Sequence, residues 1–213
     1  DGILAHLEDI PARFGVIERG NTTQVIVPLY SSMNIVGYWR LEEGEGTAST
    51  ADFSGRDHDG TLRNVDAADW TAGRIGQYAI DFSQGGGDSE YIEIGDHDDL
   101  TFSDGSADEP FSIAAWVSMD DATTFPIFSK GLLSEREYTL MTNSSDQLLF
   151  ALYDNNVSSE YIAATADTAF TDGEGAMHII ATYDGTESSG GLTIYRDGVE
   201  LSSTATSVGY NMG

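Results

Sequence analysis

From Ile35 onward the chain holds its apolar residues in short runs, each closed by a cluster of Gly, Asp, Asn or Ser. The runs are Val36–Leu41, Tyr78–Phe82, Tyr91–Ile94, Phe111–Met119, Pro126–Ser129, Tyr138–Met141, Leu148–Tyr153, Glu160–Ala164, Met177–Tyr183 and Leu192–Arg196. Spacing of this kind leaves no room for helices of ordinary length and marks strands joined by tight turns. In Phe111–Met119, the residues Phe111, Ile113, Ala115, Val117 and Met119 share one face, and Ser112, Ala114, Trp116 and Ser118 the other. Trp116 on the second face predicts that both faces are partly covered. Arg196-Asp197-Gly198-Val199 sets Asp-Gly between two runs, the strongest short-range hairpin signal. The expected fold is all-β, an antiparallel sandwich or jelly roll.

Residues 1–34 differ in character and are read as an N-terminal helix/strand arm or linker, with residues 35–213 as the sandwich. Ile3, Leu4, Leu7 and Ile10 follow a helical spacing that Pro11 ends. A helix that short is marginal without a packing partner. Gln24–Tyr30 reads as a strand, and Pro28 favours an edge or a bulge. The chain opens on Asp1 rather than Met, which raises the expectation of a removed upstream segment.

Charge narrows the partners. There are 36 acidic residues against 9 basic ones, a net charge of −27, and Lys130 is the single lysine. Phosphate neutralisation needs Lys and Arg, so nucleic acid and anionic membrane are poor candidates as partners, and no nucleic-acid partner is expected. No apolar run approaches the ~20 residues of a membrane span, so no insertion is expected. Divalent cations, cationic partners or a salt-rich medium fit better. Arg replaces Lys almost throughout, and a surface this acidic is relieved when the Debye length shrinks to about 3 Å at 1 M salt. A marine or halophilic setting is the expectation, and an acidic secreted protein of an ordinary habitat is the alternative. The absence of cysteine removes disulfides, thiolate metal sites and thiol nucleophiles. With 40 % hydrophobic residues the chain is too apolar for a disordered acidic tail.

Several segments, in order, resemble the laminin-G-like jelly-roll domains of the concanavalin A-like lectin/glucanase superfamily. They are Val36-Gly37-Tyr38-Trp39-Arg40-Leu41-Glu42-Glu43, the Asp52–Leu62 loop with Asp52-Phe53-Ser54-Gly55 and Gly60-Thr61-Leu62, and the pair Ala79-Ile80-Asp81-Phe82 and Tyr91-Ile92-Glu93-Ile94. Phe111-Ser112-Ile113-Ala114-Ala115-Trp116-Val117, Ile127-Phe128-Ser129-Lys130-Gly131 with Tyr138-Thr139-Leu140, His178–Gly185 and Ile194–Gly198 continue the series. The resemblance covers roughly residues 36–201. Ala176 stands where the family usually has Trp. The family's last strand is not found before Gly213, which predicts an open sheet edge filled by further chain, by Gln24–Tyr30 or by a donated strand.

Asp52, Asp57 and Asp59 lie within one short loop with Gly55 and Gly60. Calcium takes six to eight hard oxygens from flexible loops, so this donor set suits it, and a solvated acidic turn is the alternative. In the resembled family this loop often contributes to a structural calcium site, with a further acidic ligand from the final strand. Asp96, Asp98 and Asp99 form a second candidate. Asp57-His58-Asp59 and Asp96-His97-Asp98 each also offer an imidazole to a transition metal. For sugar, Trp39, Trp70, Trp116, Tyr153 and Tyr161 are aromatic platforms by type, although Trp39 and Trp116 match family core strands and are expected to pack, as is His178. Glycoside hydrolysis needs two carboxylates across a cleft. The E-x-D-x-x-E strand of the superfamily's glucanases is absent: Glu90-Tyr91-Ile92-Glu93 and Glu135-Arg136-Glu137 both miss it.

The resemblance and the charge together imply a non-catalytic, extracellular or surface-exposed recognition or adhesion module for glycan or protein, with calcium as an expected stabiliser. The alternative is a structural or decoration subunit of a filament or virion, self-assembling through residues 1–34 or by strand donation.

Overall fold

The computed structural model describes residues 15–19, 22–26, 34–82, 90–103, 107–131, 136–154 and 160–210. It divides into two compact units, Asp1–His97 and Asp98–Gly213.

The second unit is the sandwich. One sheet holds β9 (Pro126–Lys130), β10 (Tyr138–Thr142), β11 (Gln147–Tyr153), β12 (Tyr161–Ala169) and β16 (Ser203–Val208), in the order β16-β12-β11-β10-β9. The other holds β8 (Phe111–Met119), β13 (Glu174–Tyr183), β14 (Leu192–Arg196) and β15 (Val199–Glu200), in the order β15-β14-β13-β8. All pairs are antiparallel. The alternation of β8 is borne out residue by residue: its odd positions turn inward and its even positions are exposed. Asp197 and Gly198 take φ of 50° and 78°, the left-handed pair that a two-residue hairpin loop demands, and Arg196 pairs with Val199 across it.

The core lies between these two sheets. Phe150, Leu140, Leu148 and Ile162 from one meet Ile179, Ala181 and Ile194 from the other, all at or near zero exposure. Phe111 is its aromatic hub, stacked on Phe102 at 4.2 Å and edge-on to Phe150 and Tyr183 at 5.9 Å. The outward face of β8 is not covered as its sequence predicted. Trp116 is 43 % exposed and stacks at 5.1 Å on His178, its register partner on β13. His178 is therefore half-buried on the outer face and not a core histidine. The error is one of parity: both residues alternate with true core positions, and a family match does not say on which side they fall.

The first unit is built of smaller sheets. β1 (Gly15–Arg19) and β2 (Thr22–Ile26) form a sheet of their own. β2 falls on the strand expected at Gln24–Tyr30, whose last residues, like the helix expected over Ile3–Ile10, lie outside the described residues. β3 (Ser49–Thr50), β4 (Gly60–Arg63) and β7 (Tyr91–Ile94) form a three-stranded sheet, and β5 (Trp70–Ala72) pairs with β6 (Tyr78–Ile80). Val36–Leu41 is not a strand. It makes one bridge, Trp39 to Asp52, because the Tyr38 N–H donates to the Asp52 carboxylate at 2.8 Å and Leu41 turns to φ 55°. Trp39 folds back over Gly37, where an added Cβ would sit 2.2 Å from its ring, and Trp39 Nε1 donates to the His58 carbonyl at 2.7 Å. Its packing role holds, and Trp70 is half-exposed, edge-on to Tyr78 at 6.0 Å.

Candidate functional site

In the five-stranded sheet, Leu148, Phe150 and Leu152 of β11 and Ile162, Ala164 and Ala166 of β12 point into the core, so their neighbours form the opposite face. Across that face run Thr139, Ala151, Ala163 and Thr206, each register partner of the next. Thr139, Ala151 and Ala163 are buried although they turn away from the core. At the end of the same face Tyr153 and Tyr161 stand directly opposite each other, ring centres 5.9 Å apart and inclined at 40°. Arg136 joins them: its guanidinium carbon lies 4.9 Å over the Tyr153 ring, and Nη1 donates to the Tyr153 hydroxyl at 3.1 Å. The structure thus brings together the two tyrosines among the aromatic candidates and adds an arginine that sequence reasoning passed over. A signal was available, since only Lys130, Arg136 and Arg196 are basic between residues 98 and 213.

The aspartate loop has a different chemistry. The Asp52 side chain is fully buried, and its oxygens accept from Tyr38 N and Ser54 N at 2.8 Å, Ser54 Oγ at 2.6 Å and His58 N at 3.1 Å. Burial pushes its pKa up, but the Ser54 hydroxyl and the three backbone donors outweigh that and hold it below 3.8. Four donors fill the roughly four lone-pair positions of a carboxylate. Asp59 Oδ1 accepts from Asp52 N at 2.8 Å, and Asp57 and Asp59 are exposed. Among the described residues no three or more His, Asp or Glu side chains gather as a metal-holding group. A calcium reading of this loop rests on Asp57, Asp59 and carbonyls, with Asp52 already spent on organising the turn.

The two Asp-His-Asp triplets do meet, through their rings: His58, 3 % exposed, lies 4.1 Å from His97, and His58 Nδ1 is 2.8 Å from the Val36 carbonyl. Asp98 and Asp99 open a 3-10 turn over Asp98–Leu100.

A further polar cluster escaped the sequence reading. Asp108 Oδ2 accepts from the Tyr183 hydroxyl at 2.5 Å and the Tyr210 hydroxyl at 2.9 Å. Burial raises the Asp108 pKa despite both donors, and burial with the adjacent carboxylate raises both phenols. These groups tie Tyr210 and the end of β13 to the segment before β8.

A laminin G family model, described as the concanavalin A-like lectin/glucanases superfamily, matches residues 84–212. No curated protein and no solved structure matches the chain. The matched span includes every strand of both sandwich sheets. Its antiparallel topology and its continuous core between the sheets agree with that match, and the chain belongs to the concanavalin A-like lectin/glucanases superfamily.

Proposed function

We propose that this chain is a non-catalytic, lectin-like recognition module working outside the cell, and that it takes glycan on the outward face of the five-stranded sheet. The observation that carries the reading is the cross-strand pair Tyr153–Tyr161 with Arg136 stacked on it. The two half-buried phenol rings give a sugar ring an apolar surface, with hydroxyls and a guanidinium at its margin. The superfamily supports lectin-like use, and the missing glucanase strand signature supports a role without catalysis. No described helix is long and apolar enough to cross a membrane. Tyr161→Ala should weaken binding to an immobilised polysaccharide panel about 10-fold, an aromatic contact being worth about 1 to 1.5 kcal/mol, while Tm stays within a few degrees. Unchanged binding in both Tyr161→Ala and Tyr153→Ala would remove this face from consideration. Assembly through residues 1–34, the other reading, has only the β1–β2 ladder behind it.

The calcium expected at the Asp52–Asp59 loop is tested separately, since the protein donors already on Asp52 argue against that carboxylate as a ligand. A ligand bound only to the native state raises stability by RT ln(1 + [L]/Kd), so unfolding in chelator, in millimolar calcium and in molar KCl separates the cases. With Asp52 saturated, the expected result is a rise of Tm in KCl and no added rise from calcium over magnesium. A specific calcium rise that Asp57→Asn and Asp59→Asn abolish would establish the metal site.

A further inference from the structure

The second unit has three basic side chains, and two of them are spent on carboxylates. Lys130 Nζ lies 3.1 Å from Glu137 Oε1, and Arg196 Nη2 lies 2.5 Å from Glu174 Oε2. Arg136 is different. Its described partners are the ring and the hydroxyl of Tyr153, and among the described residues no carboxylate stands within ion-pair distance of it. This happens in a chain with 36 acidic residues. Of the two acidic residues that flank it in sequence, Glu137 is held by Lys130 and by the Thr101 hydroxyl at 3.3 Å, and Glu135 lies outside the described residues. A guanidinium presents five N–H donors in a planar fork, of which Tyr153 uses one. Stacking on the ring already restrains the side chain, so less freedom is lost when the remaining donors bind.

We propose that Arg136, with Tyr153 and Tyr161, recognises the carboxylate of an acidic sugar, a uronic acid unit within a polysaccharide. The guanidinium takes the carboxylate through paired hydrogen bonds, and the tyrosine pair carries the apolar face of the sugar ring. This rests on the reading above, that the face binds glycan, and adds the class of glycan. The aromatic pair favours a ring over an acidic peptide, because a flexible carboxylate chain has no flat face to stack.

The charge of the whole chain gives the proposal an unusual signature. A net charge of −27 repels a polyanion at long range. That repulsion is screened as the Debye length falls from about 10 Å at 0.1 M to about 3 Å at 1 M salt, whereas a half-buried contact pair is screened far less. Affinity for the acidic sugar should therefore rise with salt, the reverse of binding at a basic patch.

The test measures binding of hexagalacturonate, its carboxyl-reduced hexamer and hexaglutamate to the full chain and to Arg136→Gln and Arg136→Lys, at 0.1 and 1 M KCl. Expected are binding of hexagalacturonate that tightens at 1 M KCl, a loss of roughly 10-fold to 100-fold in Arg136→Gln, and partial retention in Arg136→Lys. The reduced hexamer should bind all three proteins alike and weakly. Equal binding of both hexamers with no effect of Arg136→Gln overturns the carboxylate assignment and leaves the glycan reading standing. Binding of neither hexamer overturns both. Hexaglutamate binding as tightly as hexagalacturonate overturns the choice of sugar, and weaker hexagalacturonate binding at 1 M KCl overturns the contact-range account.

Discussion

Phe150→Ala should cost the sandwich about 4 kcal/mol, read as a lower denaturant midpoint with an unchanged slope. Phe150 has no exposure, sits on the central strand β11 and meets the hub ring of Phe111 edge-on. Truncation removes the transfer free energy of the ring and leaves a cavity between the sheets. Neither Leu140 nor Ile162 can fill it, since both are buried and held by ladders on either side. The measurement belongs in molar KCl, where repulsion among the carboxylates is screened and the loss reports packing alone. A cost below about 1.5 kcal/mol would mean that the facing sheet closes over the gap, and that the core is less tightly packed than a site of this burial implies.

Asp52→Asn should cost about 2 to 3 kcal/mol at pH 7. An amide oxygen keeps two of the four donors, and its NH2 group then faces the donors that remain. Stability from this residue also depends on pH with a definite sign. Its folded pKa lies below 3.8, so the contribution is complete above the unfolded pKa and is lost as pH falls through the lower folded value. The gap between wild type and Asp52→Asn should narrow below about pH 4 and close in stronger acid. Tryptophan fluorescence follows it, because Trp39 donates to the His58 carbonyl within the same loop. Equal stabilities at pH 7 would show that the carboxylate is dispensable to the turn, and an unchanged gap at pH 2 would show that its charge plays no part.

The strands that were legible in the sequence are those whose burial has amplitude. β8, β7 and β14 alternate Phe, Ile, Leu or Tyr against small or polar residues, β11 is an apolar run, and the Asp197-Gly198 turn is written in its chemistry. β16 was invisible because Ser203–Val208 is Ser, Thr and Ala with one Val, and is mostly exposed. It forms because β12 offers a ladder, a tertiary cause that no local pattern carries. β4 reads as loop in the sequence because the strand follows directly on the aspartate turn. Val36–Leu41 failed in the opposite sense: its apolar residues suggested a strand, and a buried carboxylate took the N–H that a ladder needed. The candidate site was half legible. Tyr153 and Tyr161 were named by residue type, but that they face each other depends on the β11–β12 register, and Arg136 gained meaning only when Lys130 and Arg196 proved to be paired.

β8 ends the four-stranded sheet, and among the described residues its far side has no ladder partner. It is nine residues long and contains neither a charge nor a proline, the devices by which native edges usually refuse a neighbour. A segment of this composition is the raw material of cross-β stacking. The repulsion available against edge pairing lies elsewhere, in the carboxylates, which hold molecules at a distance as the charge of a colloid does. The acidity of this chain is thus a colloidal property, and it shields a strand that carries none of it.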